Sequence, residues 1–267
     1  MNAQVKKLGQ YLTPVWAAEQ LIERHFKDLG SSDMVFEPSC GRGSFLSALP
    51  DHVPAIGIDI DPAMVDAARV NTGRKILCGD FATIKLDESP TVILGNPPFM
   101  TEVIDRFLDR AHALLPDEGR VGFILPAYAM QTASRVSGYA DNWSILQEMI
   151  PRNIFTGLEL PLIFALFTKG RERKLFGFAL YHEANDINLM NKDYRSDLKA
   201  GSGPVWLNVV EKAMKELGGH ASVESMYAKI EGKRPTKTEF WKEKIRQTLR
   251  RYNDRFISVG NGCYQLA

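Results

Sequence analysis

Cysteine is scarce in this 267-residue chain, which contains only Cys40, Cys78 and Cys263. Their odd number and wide spacing fit neither a disulfide framework nor a cysteine-based metal site. The sequence therefore predicts free thiols in a reducing cytoplasm and no bound metal.

Long apolar runs are also missing. No stretch approaches the roughly 20 apolar residues that a membrane-spanning helix needs. Residues 1–7 lack the apolar core of a secretory signal. We therefore expect a cytoplasmic protein with no membrane partner.

The chain lacks an excess of charge of either sign, since 33 Lys and Arg face 32 Asp and Glu. This balance is uneven along the chain, because residues 204–267 carry 12 basic and 7 acidic side chains. A basic module in a near-neutral chain favours a polyanionic partner such as nucleic acid. A solvated helix face is the alternative explanation.

Short apolar strands alternate with helical stretches over the first 180 residues. This alternation is typical of an α/β fold with a parallel sheet and helices on both faces. A tract rich in Ser, Ala and Gly, residues 127–139, is predicted as a mobile loop over the carboxyl edge of the sheet. The predicted strands are 34–36, 55–59, 75–78, 91–94, 120–126, 153–155, 160–168 and 175–181, and the predicted helices are 16–29, 44–49, 62–70, 101–115 and 145–150.

The pattern changes after residue 183. Residues 184–203 are polar and contain glycine, which predicts a linker between domains 1–183 and 204–267. The last domain shows three helical segments and then a glycine-tipped hairpin, which match a winged helix-turn-helix. The predicted helices of this domain are 205–217, 222–231 and 238–252.

The most informative motif is Asn96-Pro97-Pro98-Phe99, which follows the apolar run 91–95. Two consecutive prolines fix the backbone and remove two amide donors. Asn96 and Pro97 then offer carbonyl oxygens, and Phe99 offers a flat ring. Such a corner suits a planar group bearing an NH₂, which is the exocyclic amine of a nucleobase. A plain proline turn after a strand is the alternative interpretation.

A glycine loop follows the first predicted strand, in the segment Glu37-Pro-Ser-Cys-Gly41-Arg-Gly43. Both glycines allow a ligand to approach the backbone closely. A dinucleotide fingerprint is disfavoured, because Leu46 stands where its third glycine is expected. The carboxylate of Glu37 suits a cationic amino-acid group better than a pyrophosphate.

Acidic residues also end the next two predicted strands. Asp59 is placed to accept from both hydroxyls of a ribose, and Ile60 to lie against an adenine ring. Asp80 is placed to accept from an adenine amine, with Phe81 against the ring. Because ligands of open α/β sheets bind at the carboxyl ends of the strands, these residues predict a nucleoside pocket. Asp61 is expected to cap the helix that follows it.

These motifs, preceded by Gln10-Tyr-Leu-Thr-Pro14, resemble the gamma class of N6-adenine DNA methyltransferases in their identity and order. The resemblance covers residues 8 to about 170 and implies the Rossmann-like S-adenosylmethionine-dependent methyltransferase fold, with S-adenosylmethionine as cofactor. Leu12 departs from the family, in which an aromatic residue is frequent at this position. The cofactor-binding residues that the resemblance implies are Tyr11, Thr13, Glu37, Pro38, Gly41, Gly43, Asp59, Ile60, Asp80, Phe81 and Asn96.

The resemblance also implies a catalytic corner formed by Asn96, Pro97, Pro98 and Phe99. Methyl transfer to an adenine amine is a direct displacement, so orientation of the amine and acceptors for its hydrogens supply the catalysis. The base must first be flipped out of the duplex, after which Phe99 stacks on it. A second aromatic residue usually covers the other face in this family. Phe155 is the candidate here, and a core role for Phe155 is the alternative.

Related activities are weighed against adenine N6 methylation. A cytosine-C5 enzyme needs a Pro-Cys nucleophile, and no cysteine here follows a proline. An N4-cytosine enzyme usually has Ser or Asp in the place of Asn96. RNA and protein-glutamine methyltransferases share the tetrapeptide, whereas the Thr13-Pro14 segment and the basic module favour DNA. A non-catalytic DNA-binding regulator is the alternative from another class.

The third helix of the C-terminal domain is the candidate DNA reader. Lys242, Arg246 and Arg250 line up at i, i+4 and i+8 on one face, beside a predicted buried stripe on another face. The predicted stripe is Trp241, Ile245 and Leu249. We expect Arg246 at guanine edges and the other basic residues at phosphates. The DNA-binding candidates are Lys237, Lys242, Arg246 and Arg250. The expected partners are double-stranded DNA and a cognate restriction nuclease, for a DNA-associated protein of bacterial or phage origin.

Overall fold

The structure is a computed structural model that describes residues 11–155, 157–170, 174–181, 184, 185, 189, 205–234 and 239–267. The chain divides into two compact units, residues 1–179 and 180–267. Most of the predicted linker 184–203 lies outside the described residues, so the domain boundaries stay a prediction.

The first unit alternates helices and strands, with short 3₁₀ helices at Ala127–Met130 and Arg152–Ile154. Its elements in chain order are α1 (Val15–His25), β1 (Val35–Pro38), α2 (Ser44–Ala48), β2 (Ala55–Asp59), α3 (Pro62–Thr72), β3 (Lys75–Cys78), β4 (Val92–Gly95), α4 (Thr101–Leu114), β5 (Arg120–Pro126), α5 (Ala133–Ala140), β6 (Ser144–Ile150), β7 (Leu162–Thr168) and β8 (Leu175–Phe176).

One sheet joins these strands in the order β3-β2-β1-β4-β5-β7-β6-β8. Strands β1 to β5 are parallel, whereas β7 is antiparallel to its neighbours β5 and β6. The predicted α/β fold class is confirmed. The chain returns to the middle of the sheet between β3 and β4, so β1 and β4 flank the switch point at which ligands bind in open α/β sheets.

The core fixes the central strands at this switch point. Strands β1 and β4 are buried along their whole length, as strands covered by helices on both faces require. One core cluster combines Phe26 after α1, Phe45 of α2 and Phe164 of β7. Phe99 belongs to the same cluster, so the tetrapeptide after β4 is anchored in the core.

Two sequence predictions beyond β5 are wrong. Residues 145–150 are not helical, because this segment pairs with β7 over seven residues as strand β6. The buried, apolar β7 has a strand on each side, and this tertiary pairing overrides the local pattern. Residues 153–155 are not a strand, since Arg152–Ile154 forms a 3₁₀ helix.

The predicted loop over 127–139 is also wrong. This segment contains the 3₁₀ helix Ala127–Met130 and helix α5. Val136 and Ala140 are buried on α5, so one face of this helix packs against the rest of the unit.

Within residues 205–234 and 239–267, the second unit contains three α-helices, a 3₁₀ helix at Glu231–Lys233 and a small antiparallel sheet. The three predicted helices are present, although Thr238 lies outside the described residues, and the short strand β9 was not predicted. Its elements are α6 (Val205–Glu216), β9 (His220–Ser222), α7 (Val223–Ile230), α8 (Trp241–Arg251), β10 (Phe256–Gly260) and β11 (Cys263–Leu266). The strand order is β10-β11-β9. Among the described residues, no helix is both long and apolar enough to cross a membrane.

Candidate active site

A cavity of about 250 Å³ lies at the carboxyl ends of β1 to β4. Many of the residues predicted from the sequence line it, although they come from four different strand ends and from the segment before α1. These lining residues are Tyr11, Thr13, Glu37, Gly41, Asp59, Ile60, Asp80, Phe81, Asn96 and Pro98. Pro38, Gly43, Pro97, Phe99 and Phe155 do not line it.

Glu37 is a buried acid at the floor of this cavity, with 3% of its surface exposed. Its carboxyl oxygens accept hydrogen bonds from the amides of Phe45 (3.4 Å) and Leu46 (3.0 Å) in the first turn of α2. Burial raises the pKa of Glu37 to about 8, against the opposing effect of these two amides. The carboxyl group is therefore largely protonated at neutral pH.

Asp59 connects the end of β2 to the glycine loop. One carboxylate oxygen accepts from the amide of Gly41 (2.7 Å), and the other from the amide of Asp61 (2.9 Å). Burial raises the pKa of Asp59. Each oxygen retains a further acceptor position for a ligand hydroxyl. Asp61 accepts from the amide of Ala63 (2.9 Å), so its predicted role as helix cap is confirmed.

The two glycines of the loop do different work. Gly41 has a φ of 54°, and a Cβ at this position would lie 3.2 Å from Leu12 Cδ2. Gly43 has a φ of 80°, and its Cβ would lie 2.6 Å from Thr72 Cγ2 of α3. Gly43 therefore permits helix packing, and its prediction as a ligand-approach residue is corrected.

The nucleoside side of the cavity combines one ion pair with two apolar surfaces. Arg106 of α4 contacts Asp80 at 2.8 Å, and the other oxygen of Asp80 accepts from the amide of Ala82 (2.9 Å). Ile60 is 63% exposed beside the cavity. Phe81 is buried and packs edge-to-face on Phe107. Asp80 and Ile60 are thus both accessible to a planar ligand.

Asn96 carries the most informative polar atom of the site. Its Nδ2 donates to the backbone carbonyl of Tyr11 (2.8 Å) and to Thr13 Oγ1 (3.3 Å). Because a carbonyl only accepts, this bond fixes the amide so that Oδ1 points the other way. Oδ1 is buried and has no partner among the described residues. None of them donates to the carbonyl of Pro97 either.

Thr13 does not cap the first helix, as the sequence suggests it would. The sequence suggests Thr13 as the N-cap of the first helix, with Pro14 as its first residue. The structure has Pro14 as N-cap without a side-chain bond. The hydroxyl of Thr13 contacts Asn96, and its carbonyl accepts from Ser44 (2.6 Å). Thr13 therefore ties the corner after β4 to helix α2.

Phe99 and Phe155 are less accessible than predicted. Phe99 is 9% exposed, and the ring of Tyr11 stacks on it at 5.5 Å between centroids. The hydroxyl of Tyr128 donates to the Phe99 carbonyl. Phe155 is 4% exposed within the same core cluster. The prediction that Phe155 covers a flipped base is therefore corrected to a core role.

Several lining residues were missed by sequence reasoning. Three of them, Val103, Arg106 and Phe107, share one face of α4 at positions i, i+3 and i+4. This helical spacing directly after the Asn-Pro-Pro-Phe motif is the signal that predicts a wall of the cavity. The other missed lining residues are Leu12, Ser39, Cys40, Ser44, Gly79 and Met100.

The basic face of α8 is present in the second unit, next to the buried Trp241, Ile245 and Leu249. Lys242 lies 5.4 Å from the ring centre of Tyr227, and Arg246 pairs with Glu243 at 2.8 Å. Lys237 lies outside the described residues, and Arg250 is exposed. The described residues hold no group of three or more acidic, His or Cys side chains arranged for a metal ion.

Comparison with known proteins identifies the fold of the first unit. A Listeria monocytogenes protein described as a class I S-adenosylmethionine-dependent methyltransferase aligns with a TM-score of 0.51 and 17% identity, over 61% of this chain and 64% of that one. The M protein of the type I restriction enzyme EcoKI aligns with a TM-score of 0.53 and 18% identity, over 60% and 44% of the two chains. At these identities the likeness shows the class I S-adenosylmethionine-dependent methyltransferase fold alone.

A match to one sequence relative has a higher identity but covers a shorter part of the chain. The chain is 36% identical over 98 residues to the type II methyltransferase M.CvrRI of Paramecium bursaria Chlorella virus XZ-6E. The match covers 35% of this chain, and the chain spans a quarter (25%) of that relative's length. No protein-family model matches the chain.

Proposed function

We propose that this chain is an S-adenosylmethionine-dependent DNA methyltransferase that methylates N6 of an adenine flipped out of the duplex. The fold and the 98-residue match to a type II methyltransferase support the methyltransferase class. One observation supports an adenine amine as the substrate. The side-chain oxygen Oδ1 of Asn96, a residue that lines the cavity, is buried and has no hydrogen-bond partner among the described residues.

The cavity residues fit S-adenosylmethionine. Asp59 has acceptor positions for ribose hydroxyls, Asp80 for an adenine amine, and Ile60 presents an exposed apolar surface to the ring. Gly41 lines the cavity, and its amide is held by the carboxylate of Asp59. Glu37 lies below, where a nearby cationic amino group would favour its charged form. When bound, S-adenosylmethionine supplies a methyl group on a positively charged sulfur, which the amine takes directly, leaving a neutral thioether.

The corner after β4 prepares the amine for this displacement. Asn96 Oδ1 and the Pro97 carbonyl accept its two hydrogens, so the nitrogen lone pair is released from the ring and points at the methyl carbon. Both acceptors also stabilise the positive charge that develops on nitrogen. The surplus proton leaves to solvent after transfer, so no base is needed before attack.

The second unit supports DNA as the substrate. Its three helices and its β10–β11 hairpin match a winged helix-turn-helix, with α8 as the reading helix. Arg246 and Arg250 lie on the exposed face of α8. Extrusion of the base costs a few kcal/mol, which contacts to the duplex offset. A restriction nuclease of matching specificity is the proposed partner in the cell.

Substitution of Asn96 tests this function. We expect Asn96→Ala to lower the rate of methyl incorporation into unmethylated plasmid DNA about 10²- to 10³-fold, because one preorganised acceptor is lost. Binding of DNA should stay close to wild type, as measured by filter binding. An equally active Asn96→Ala variant would refute the amine-gripping role.

The same assay separates the related substrates. Tritiated methyl groups should enter duplex DNA rather than structured RNA, and digestion of the DNA should release N6-methyladenine. N4-methylcytosine as the product would assign the cytosine alternative. Site-specific DNA binding without any turnover would support the non-catalytic regulator.

A further inference from the structure

The burial of Phe155 leaves the proposed base pocket with one aromatic wall. A flipped base is normally held between two aromatic or apolar side chains. Phe155 is enclosed in the core, and Phe99 has one ring face already covered by Tyr11. The second wall must therefore come from elsewhere, and this question arises only under the proposed function.

Tyr11 is the side chain that the structure brings to Phe99. The two rings are nearly parallel, with an interplanar angle of 22°, and they are in contact at 5.5 Å between centroids. Tyr11 is half-buried and lines the cavity. Its backbone carbonyl accepts from Asn96 Nδ2, so Tyr11 is held next to the amide whose oxygen has no partner among the described residues.

The two rings are held in different ways. Phe99 is packed in the core, and its carbonyl is fixed by the hydroxyl of Tyr128. Tyr11 is partly buried against the edge of this cluster and lines the cavity, so its ring is the less enclosed of the two. Tyr11 is therefore the ring that moves when a third planar group is inserted.

We propose that Tyr11 is the second wall of the base pocket, and that the target adenine enters between the rings of Tyr11 and Phe99. The base replaces the Tyr11–Phe99 contact with two stacking contacts, and its amine meets Asn96 Oδ1. Tyr11 is then a substrate-binding residue rather than the cofactor-binding residue that the family resemblance implies.

Three variants test this assignment in the full chain. In Tyr11→Ala, kcat/KM for unmethylated plasmid DNA should fall about ten- to a hundredfold, the effect of losing one base–aromatic stack. Tyr11→Phe keeps the ring and should stay within about twofold of wild type. Phe176→Ala removes an exposed aromatic side chain from β8, at the far edge of the sheet, and is the matched control.

Binding of S-adenosylhomocysteine by calorimetry gives a readout that is independent of turnover. The dissociation constant of Tyr11→Ala should match that of wild type. A loss of cofactor affinity as large as the loss of activity would overturn the assignment, because Tyr11 would then belong to the cofactor side.

A duplex with 2-aminopurine at the methylated position adds a direct probe. The flipped fluorophore should be brighter in Tyr11→Ala than in wild type, since one stacked quenching ring is gone. A Tyr11→Ala variant as active as wild type would overturn the role of Tyr11 as second wall and leave the proposed function standing. A wild-type protein that binds cofactor and methylates no DNA would overturn the proposed function and the wall with it.

Discussion

Glu37 and Asp59 are the buried carboxyl groups of the described residues, and both lie at the cavity. A buried carboxylate without a cation is costly, so each group accepts two backbone amides instead. These amides belong to the glycine loop, α2 and the turn after β2. The acids therefore shape the cavity before any ligand is present.

The raised pKa of Glu37 predicts a pH-dependent stability. The carboxyl group titrates near 4.5 in the unfolded chain and at about 8 in the folded chain. Between these values the folded state binds more protons, so its stability falls as the pH rises. In thermal unfolding from about pH 4.5 to 8, Glu37→Gln should lose less stability than wild type, because glutamine does not titrate.

Asp59 stays in both proteins, and its charge helps to raise the pKa of Glu37, so the difference between the two curves reports Glu37 together with its coupling to Asp59. Glu19→Gln, at an exposed position of α1, is the control and should follow wild type. Parallel curves for Glu37→Gln and wild type would show that Glu37 does not carry the raised pKa.

At the scale of elements, the packing of α2 against α3 depends on Gly43. Gly43→Ala would add the strain of a positive φ, about 1–2 kcal/mol, and a contact of 2.6 Å with Thr72 Cγ2. We expect a loss of roughly 2–4 kcal/mol in chemical unfolding. Thr72→Ser removes Cγ2 and keeps the hydroxyl that donates to the Ala68 carbonyl (2.7 Å), so it should restore about 1 kcal/mol or more.

Thr72→Ser in the wild-type background is the control for this pair. A double variant no more stable than Gly43→Ala would contradict the contact and leave backbone strain as the whole cause. Cofactor binding should survive in Thr72→Ser, because Thr72 does not line the cavity.

Some strands and helices can be predicted from their own sequence, whereas others depend on contacts with distant parts of the chain. Strands β1, β2 and β4 are largely buried, mostly apolar runs with Glu, Asp or Asn-Pro at their ends, so local pattern and chemistry both predicted the cavity. Strand β6 was missed because its structure depends on pairing with β7. Likewise, the stack of Tyr11 on Phe99 joins residues 88 positions apart, and nothing local to either residue indicates it.

At the scale of the whole molecule, the excess of basic residues in 204–267 gives a salt-dependent prediction. Replacing Lys242, Arg246 and Arg250 with Gln should weaken DNA binding and reduce the slope of log Kd against log salt by about 2 to 3, since each lost phosphate contact removes about 0.9. Fluorescence anisotropy with a duplex at several salt concentrations measures this slope.

The control triple variant replaces Lys215, Lys229 and Lys233 with Gln. It changes the net charge by the same amount, but these lysines pair with Glu211 or Glu216 within the unit. If the slope of log Kd against log salt decreased equally in both triple variants, the total charge of the unit, rather than the basic face of α8, would attract the duplex.

The central claim is that the corner after β4 presents an adenine amine to a methyl donor. Single-molecule sequencing of DNA from a methylation-deficient host expressing the protein tests it most directly. The account predicts N6-methyladenine at one short sequence, and its absence when the host expresses Asn96→Ala. Unmodified DNA, or DNA carrying only methylated cytosine, would contradict the claim.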